Sequence, residues 1–152
     1  MVTIRPTPLG AAMKQYAAST SINAPVERIW AILTDGSTWT DWNPTVVKFE
    51  GTIAEGETVK VYPAINPKRA FPVKVRHMHA PRVMVWEGGM PLGLFRGTRT
   101  FELNGSDSGG VEFAMREVYS GPLSPLIGRS IPNLQPEFEK FAAALKARAE
   151  AG

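Results

Sequence analysis

Cysteine is absent from this chain of 152 residues. Disulfide bonds, thiolate nucleophiles and cysteine-ligated zinc or iron–sulfur sites are therefore excluded. Long apolar runs are also lacking: the longest are a few residues, whereas a membrane-spanning helix needs about 20. Residues 1–16 hold no apolar stretch long enough for a signal peptide. We expect a cytoplasmic protein without stable membrane insertion.

Concentrated positive charge is lacking as well, although the net charge is +3 and the pI is near 9.4. The 17 lysines and arginines never form a run of five. Their densest cluster is Lys68 and Arg69, with Lys74 and Arg76 nearby. No helix pattern carries a one-sided basic stripe, so the charges are typical of a solvated surface and predict no nucleic-acid partner.

Motifs for metal, nucleotide or nucleophile chemistry are missing. The two histidines, His77 and His79, share one side of an extended strand, but no third ligand is suggested. The pattern Gly-x-Ser-x-Gly does not occur, and neither paired-glycine site precedes a helix as a phosphate-binding loop would require. We expect no metal and no cofactor.

The composition that is present is that of a globular domain, with 43% hydrophobic and 20% charged residues. No internal repeat or linker divides the chain. Prolines and a glycine in the first dozen residues indicate a loose arm, so the predicted organisation is an arm at 1–13 and one domain at 14–150.

Hydrophobic periodicity predicts a strand, two short helices, six further strands and a long helix. The strands are expected at 13–22, 46–53, 58–65, 70–77, 82–87, 94–103 and 111–119, and the short helices near 26–34 and 37–42. On the C-terminal helix the apolar face is formed by Leu134, Phe138, Phe141, Ala142, Leu145 and Ala149. Helices gathered on one face of a meandering antiparallel sheet give an α+β architecture.

Several segments resemble the START-like (SRPBCC, helix-grip) superfamily, and in particular its polyketide-cyclase/dehydratase-like branch. They are INAPVERIW at 22–30, WTDWNP at 39–44, WEG at 86–88, LFRG at 94–97, FEL at 101–103 and EVYSG at 117–121. The resemblance implies a curved sheet of about seven strands that grips the C-terminal helix, with a hydrophobic cavity between them. It does not imply one activity, because members of the superfamily include lipid carriers, cyclases and hormone receptors.

Strand alternation places a charged pair on the inner face of the last hairpin. Glu117 shares a face with apolar Phe113 and Met115, and Arg99 shares the inner face of the preceding strand. If Phe101 lies opposite Phe113, then Gly97 lies opposite Glu117, leaves open space there, and makes Arg99 its diagonal neighbour. Arg99 and Glu117 are thus expected to pair, either to orient a ligand or only to fix the hairpin register. In related sequences a histidine often stands at position 99, so the arginine puts acid–base chemistry there in doubt.

The candidate cavity lining is apolar apart from this pair, and each apolar member would serve equally as plain core. The residues are Val61, Phe71, Val73, Val75, Met84, Trp86, Met90, Phe95, Gly97, Arg99, Met115, Glu117, Phe138, Phe141 and Leu145. The methionines suit a pocket that adapts to a lipid-like or planar ligand. The mouth is expected among the loops near 42–44, 65–70 and 88–94.

Three functions remain open at this point. The first is binding or transport of a small hydrophobic molecule, such as a lipid, polyketide or aromatic metabolite. The second is a cyclase or dehydratase that uses Glu117 as acid–base and Arg99 to orient the substrate. The third is a protein-interaction scaffold, which would show a filled interior and an exposed apolar patch. Monomer and homodimer are equally compatible with the sequence.

Overall fold

The fold is a curled antiparallel sheet packed against one long helix. It is seen in a computed structural model that describes residues 14–105 and 109–151. The predicted arm at 1–13 lies outside the described residues. The seven strands are β1 (Gln15–Ile22), β2 (Val46–Glu50), β3 (Thr58–Pro63), β4 (Phe71–His79), β5 (Val83–Gly89), β6 (Arg96–Gly105) and β7 (Val111–Ser120).

The helices are α1 (Val26–Thr34), α2 (Trp39–Trp42), α3 (Ser124–Gly128) and α4 (Gln135–Glu150), with a 3-10 turn at Gly36–Thr38 before α2. The strand order is β1-β7-β6-β5-β4-β3-β2, and every neighbouring pair is antiparallel. The helix-grip α+β fold predicted from the sequence is confirmed.

Helix α4 supplies the apolar ridge around which the sheet curls. Its buried residues are Phe138, Phe141, Ala142, Leu145 and Ala149, the face that the periodicity predicted. Phe141 is the centre of this contact, because its ring centroid lies 5.3 Å from that of Trp39 and 5.8 Å from that of Phe101. Trp39 in turn stacks on Trp86 of β5 at 5.4 Å, which fixes α2 to the sheet.

The register of the β6–β7 hairpin differs from the predicted one by two residues. Phe101 pairs with Met115, not with Phe113, and Arg99 therefore lies directly opposite Glu117. The reason is that β6 continues to Gly105, which pairs with Val111, so the connection is shorter than the glycine-rich sequence suggested. A shift of two residues keeps every side chain on its predicted face.

Candidate functional site

The cavity of this fold opens at one end of the sheet. Antiparallel strands reverse at each connection, so the β3–β4, β5–β6 and β7–α3 connections all lie at the same end. A cavity of about 660 Å³ lies there between the sheet and the first half of α4. The interior is therefore open at this end, and it is not the filled interior that the scaffold hypothesis requires.

Twelve of the fifteen predicted lining residues border this cavity. They are Val61, Phe71, Val73, Trp86, Met90, Phe95, Gly97, Arg99, Met115, Glu117, Phe138 and Phe141. The other three, Val75, Met84 and Leu145, do not border it and are fully buried core residues. They share the inward face, but each lies farther from the open end than the lining residues of its own strand or helix. At that depth the sheet and α4 pack directly against each other. Alternation fixes the face of a residue but not its depth along the strand.

A three-residue polar cluster lies in the cavity wall. Arg99 donates from Nε to Glu117 Oε1 at 3.0 Å, and the Tyr119 hydroxyl donates to Glu117 Oε2 at 2.6 Å. The Arg99 and Glu117 side chains are 25% and 15% exposed, so the ion pair is largely shielded from water. The Arg99 guanidinium also lies 4.7 Å from the centroid of the Phe138 ring, a cation–π contact.

Gly97 does not face Glu117, which corrects the sequence expectation. It pairs with Tyr119, and a Cβ on Gly97 would lie 3.2 Å from Tyr119 Cε1. The missing side chain thus makes room for the tyrosine ring instead of leaving open space beside the carboxylate. The ring also stacks on that of Phe95, with the two ring centroids 5.5 Å apart.

Tyr119 is the main functional candidate that the sequence analysis missed. Burial raises the pKa of its phenol far above the usual range, and the charge and hydrogen bond of Glu117 raise it further. Tyr119 therefore remains a neutral hydrogen-bond donor at physiological pH. Its position on the inner face of β7, two residues after Glu117, was a signal from which it could have been chosen.

The segment between β7 and α4 also contributes wall residues that were not predicted. Ile127, Ile131 and Leu134 border the cavity. This segment is tied to the start of β1, because Lys14 Nζ donates to the carbonyl oxygens of Gly128 at 3.0 Å and Ile131 at 3.3 Å. Leu134 belongs to the apolar face that the helical period predicted for the C-terminal helix, whereas no periodic pattern marks the positions of Ile127 and Ile131.

The histidines lie away from the cavity on β4. His77 is exposed and its Nδ1 lies 3.7 Å from Glu55 Oε1. Within the described ranges, no three acidic or histidine side chains are grouped so as to hold a metal ion.

A family model described as polyketide cyclase / dehydrase and lipid transport matches residues 13–150. The chain belongs to this family. The match covers nearly the whole chain, and it confirms the resemblance that the segments between 22 and 121 indicated. A comparison of the chain with curated proteins found no match.

Solved structures share the fold of this family member at low sequence identity. A hypothetical protein from Helicobacter pylori is 14% identical with a TM-score of 0.74, and the alignment covers 99% of each chain. The Zhui aromatase/cyclase from Streptomyces sp. R1128 is 13% identical with a TM-score of 0.67, over 91% of this chain and 94% of that chain. Norcoclaurine synthase from Thalictrum flavum is 12% identical with a TM-score of 0.68, over 100% and 98% of the two chains. At these identities the likeness establishes the fold alone.

Within the described part of the chain, no helix has the length and apolar character needed to span a membrane.

Proposed function

We propose that the protein binds a small hydrophobic molecule with an oxygen-bearing end in the cavity between the sheet and α4. The observation that carries this proposal is a cavity of about 660 Å³ with a mostly apolar wall and the Arg99–Glu117–Tyr119 cluster in it. Ligand pockets typically enclose about 300–1,000 Å³ and combine an apolar wall with a few polar groups.

The apolar wall supplies affinity and the cluster supplies orientation. Burial of apolar ligand surface contributes about 25 cal/mol per Å² before the cost of ordering is subtracted. The ion pair with Glu117 uses one of the five N–H donors of Arg99. Arg99 therefore retains the capacity to donate to a ligand carboxylate or carbonyl. Because both Glu117 oxygens already accept a hydrogen bond, the carboxylate holds Arg99 and Tyr119 in place.

Native mass spectrometry of the protein purified from its own host, followed by denaturing extraction, tests this function. One co-purifying hydrophobic molecule per chain is the expected result. An empty protein from which fatty acids and aromatic compounds displace no 8-anilinonaphthalene-1-sulfonate would contradict the proposal.

A matched pair of substitutions locates the binding site. Val61→Phe adds a bulky ring to the cavity wall and is expected to weaken 8-anilinonaphthalene-1-sulfonate binding. Val47→Phe makes the same change at a position that is 49% exposed and outside the cavity wall, and it should leave binding unchanged. Equal effects of the two substitutions would place the dye elsewhere.

A cyclase- or dehydratase-type enzyme is the second candidate, and the position of a carboxylate beside an arginine in the cavity wall favours it. Glu117 would have to exchange its contact with Arg99 or Tyr119 for one with the substrate. In this mechanism Glu117 would move a proton while Arg99 holds the substrate oxygen. The extracted compound should then be converted by the wild-type protein and not by Glu117→Gln. If Glu117→Gln binds the compound as wild type does, and neither protein converts it, the enzyme is rejected and the carrier retained.

A further inference from the structure

Exposed apolar side chains are concentrated at the cavity mouth. Three stretches of chain surround the mouth, at 63–72, 89–96 and 121–134, and we call them the rim segments. Among the described residues, seven large apolar side chains are at least 37% exposed, and all but Val47 belong to the rim segments. The six are Ile65, Phe71, Met90, Leu92, Leu94 and Leu126.

The rim segments form one continuous surface. The Leu123 N–H donates to the Leu94 carbonyl at 2.9 Å, which joins the third segment to the second. In the adjacent strands β4 and β5, a Cβ on Gly88 would lie 3.1 Å from the Pro72 carbonyl oxygen, so the end of the first segment lies beside the residue that precedes the second. The six apolar side chains therefore surround the entrance and do not form separate patches.

Leu92 has a conformation and an exposure that do not favour leucine. Its φ of 62° lies in the left-handed region, where glycine and asparagine are preferred. It is 96% exposed, so it gains no packing inside the chain that would offset the unfavourable backbone. A strained residue that buries nothing points to a contact outside the chain.

The charge of the rim segments has one sign. They contain four cationic residues, Lys68, Arg69, Arg96 and Arg129, and no carboxylate, whereas the whole chain has a net charge of only +3. All four residues are exposed. Arg96 is paired with Glu87 at 3.3 Å, so the excess positive charge rests on Lys68, Arg69 and Arg129. Just after the third segment, Glu137 borders the cavity and is paired with Lys140 at 3.1 Å. The α2–β2 corner, at the same end, adds one exposed carboxylate, Asp41.

We propose that the rim segments dock the cavity mouth onto an anionic lipid membrane surface. The six exposed apolar side chains and the four cations of the rim segments match the boundary between acyl chains and acidic headgroups. At such a boundary leucine and phenylalanine enter the bilayer, and lysine and arginine contact phosphate. A protruding Leu92 suits a fluid surface that yields to a single side chain. The docking is peripheral, and it would let a hydrophobic molecule pass between bilayer and cavity without crossing water.

Sedimentation with lipid vesicles tests this surface. We expect the protein to bind phosphatidylcholine vesicles that contain phosphatidylglycerol, to bind pure phosphatidylcholine weakly, and to lose binding as salt is raised. The double variant Lys68→Ser with Arg129→Ser should bind roughly 25-fold more weakly, since each cation near the surface contributes about a fivefold factor. Leu92→Asn should bind about tenfold more weakly and should not lower Tm, because asparagine tolerates the left-handed region.

The matched control removes two charges from the opposite end of the sheet. Arg82 lies in the β4–β5 turn and Arg148 near the end of α4, and both are exposed. The double variant Arg82→Ser with Arg148→Ser should bind vesicles as wild type does. If this control loses as much vesicle binding as the rim variant, the proposal is overturned. It is also overturned if the wild-type protein does not bind anionic vesicles, and an acidic protein would then be the partner that the positive charge suits.

The docking proposal goes beyond the proposed ligand function and can fail independently of it. Lys68, Leu92 and Arg129 do not border the cavity. Their variants should therefore keep wild-type affinity for 8-anilinonaphthalene-1-sulfonate in the absence of vesicles, and a parallel loss of dye binding would show that the substitutions disturb the cavity instead of a membrane contact.

Discussion

Replacing Glu117 by leucine is expected to destabilise the protein by about 3 kcal/mol. The substitution removes the acceptor of two partners at once. The Tyr119 hydroxyl, on a residue that is 6% exposed, would lose its 2.6 Å hydrogen bond, and an unsatisfied buried hydroxyl costs about 1–3 kcal/mol. Arg99 would lose its 3.0 Å ion pair, but at 25% exposure it still reaches water, so we assign about 1–2 kcal/mol to this loss.

A double-mutant cycle separates the two contributions. The variant Arg99→Met with Glu117→Leu removes both charges, so only the orphaned Tyr119 hydroxyl should remain as a cost of about 1–2 kcal/mol. Arg99→Met alone should cost about 1–2 kcal/mol because it removes the ion pair from Glu117. The coupling energy between positions 99 and 117 should therefore have a magnitude of about 2–4 kcal/mol. Glu117→Gln keeps one acceptor oxygen, and its free energy of unfolding should fall by about 1–2 kcal/mol.

Urea unfolding with linear extrapolation measures these differences. For a chain of this size the single leucine variant should also lower Tm by about 6–12 °C. Glu50 provides a surface control of the same kind, since it accepts from the Tyr62 hydroxyl at 2.6 Å and lies 3.9 Å from Lys48 Nζ, but its side chain is 45% exposed. Glu50→Gln should destabilise clearly less than Glu117→Gln. If Glu117→Leu unfolds within about 0.5 kcal/mol of wild type, or if the two glutamine variants behave alike, the argument from burial is refuted.

Three further predictions follow from the packing. Phe141→Ala should cost about 3–5 kcal/mol in urea unfolding, because its ring lies 5.3–6.1 Å from four other aromatic rings. The Tyr119 phenol should not ionise near pH 10 in the folded protein. Ultraviolet absorbance titrations of wild type and Tyr119→Phe would measure this. Because the folded pKa of this phenol exceeds the unfolded value, the stability that it contributes is present below about pH 10 and is lost as pH rises beyond. Gly121→Ala should lose about 2–4 kcal/mol, since Gly121 has a φ of 100° and the new Cβ would lie 2.6 Å from the Gly93 carbonyl oxygen.

Controls and contrary outcomes are specific to each of these variants. Phe71→Ala, at a residue that is 37% exposed, should cost less than half as much as Phe141→Ala, and equal losses would count against a helix-centred core. A Tyr119 absorbance change near pH 10 without unfolding would show that the phenol is accessible to water. Gly105→Ala should be tolerated because, within the described ranges and apart from its chain neighbours, no atom lies within 4 Å of the added Cβ. Comparable losses of stability at positions 105 and 121 would mean that the contact with the β5–β6 loop is unimportant.

The fold and the wall of the site were predictable to the extent that they depend on alternation. Glu117 and Met115 were assigned to the inner face because apolar residues recur at every second position of β7, and the structure has them there. The helix α4 was predictable in the same way, because its apolar residues recur with the helical period over 16 residues.

Two features were not predictable: how far a residue lies from the open end of the sheet, and how β6 and β7 pair. Periodicity carries no information on either. Met84 and Trp86 have the same parity on β5, yet Met84 is core and Trp86 borders the cavity. The pairing of Arg99 with Glu117 depended on how many residues the β6–β7 connection uses, and a glycine-rich stretch permits more than one length.

The order of elements, the inward face of the last two strands and the family could be predicted from the sequence, because they depend on local periodicity and on short motifs. Where the interior stays open and which loops meet at the mouth depended on the tertiary structure. Those features arise from contacts between residues far apart in sequence, such as Lys14 with Gly128 and Leu94 with Leu123, and no local pattern encodes the distance across such a contact.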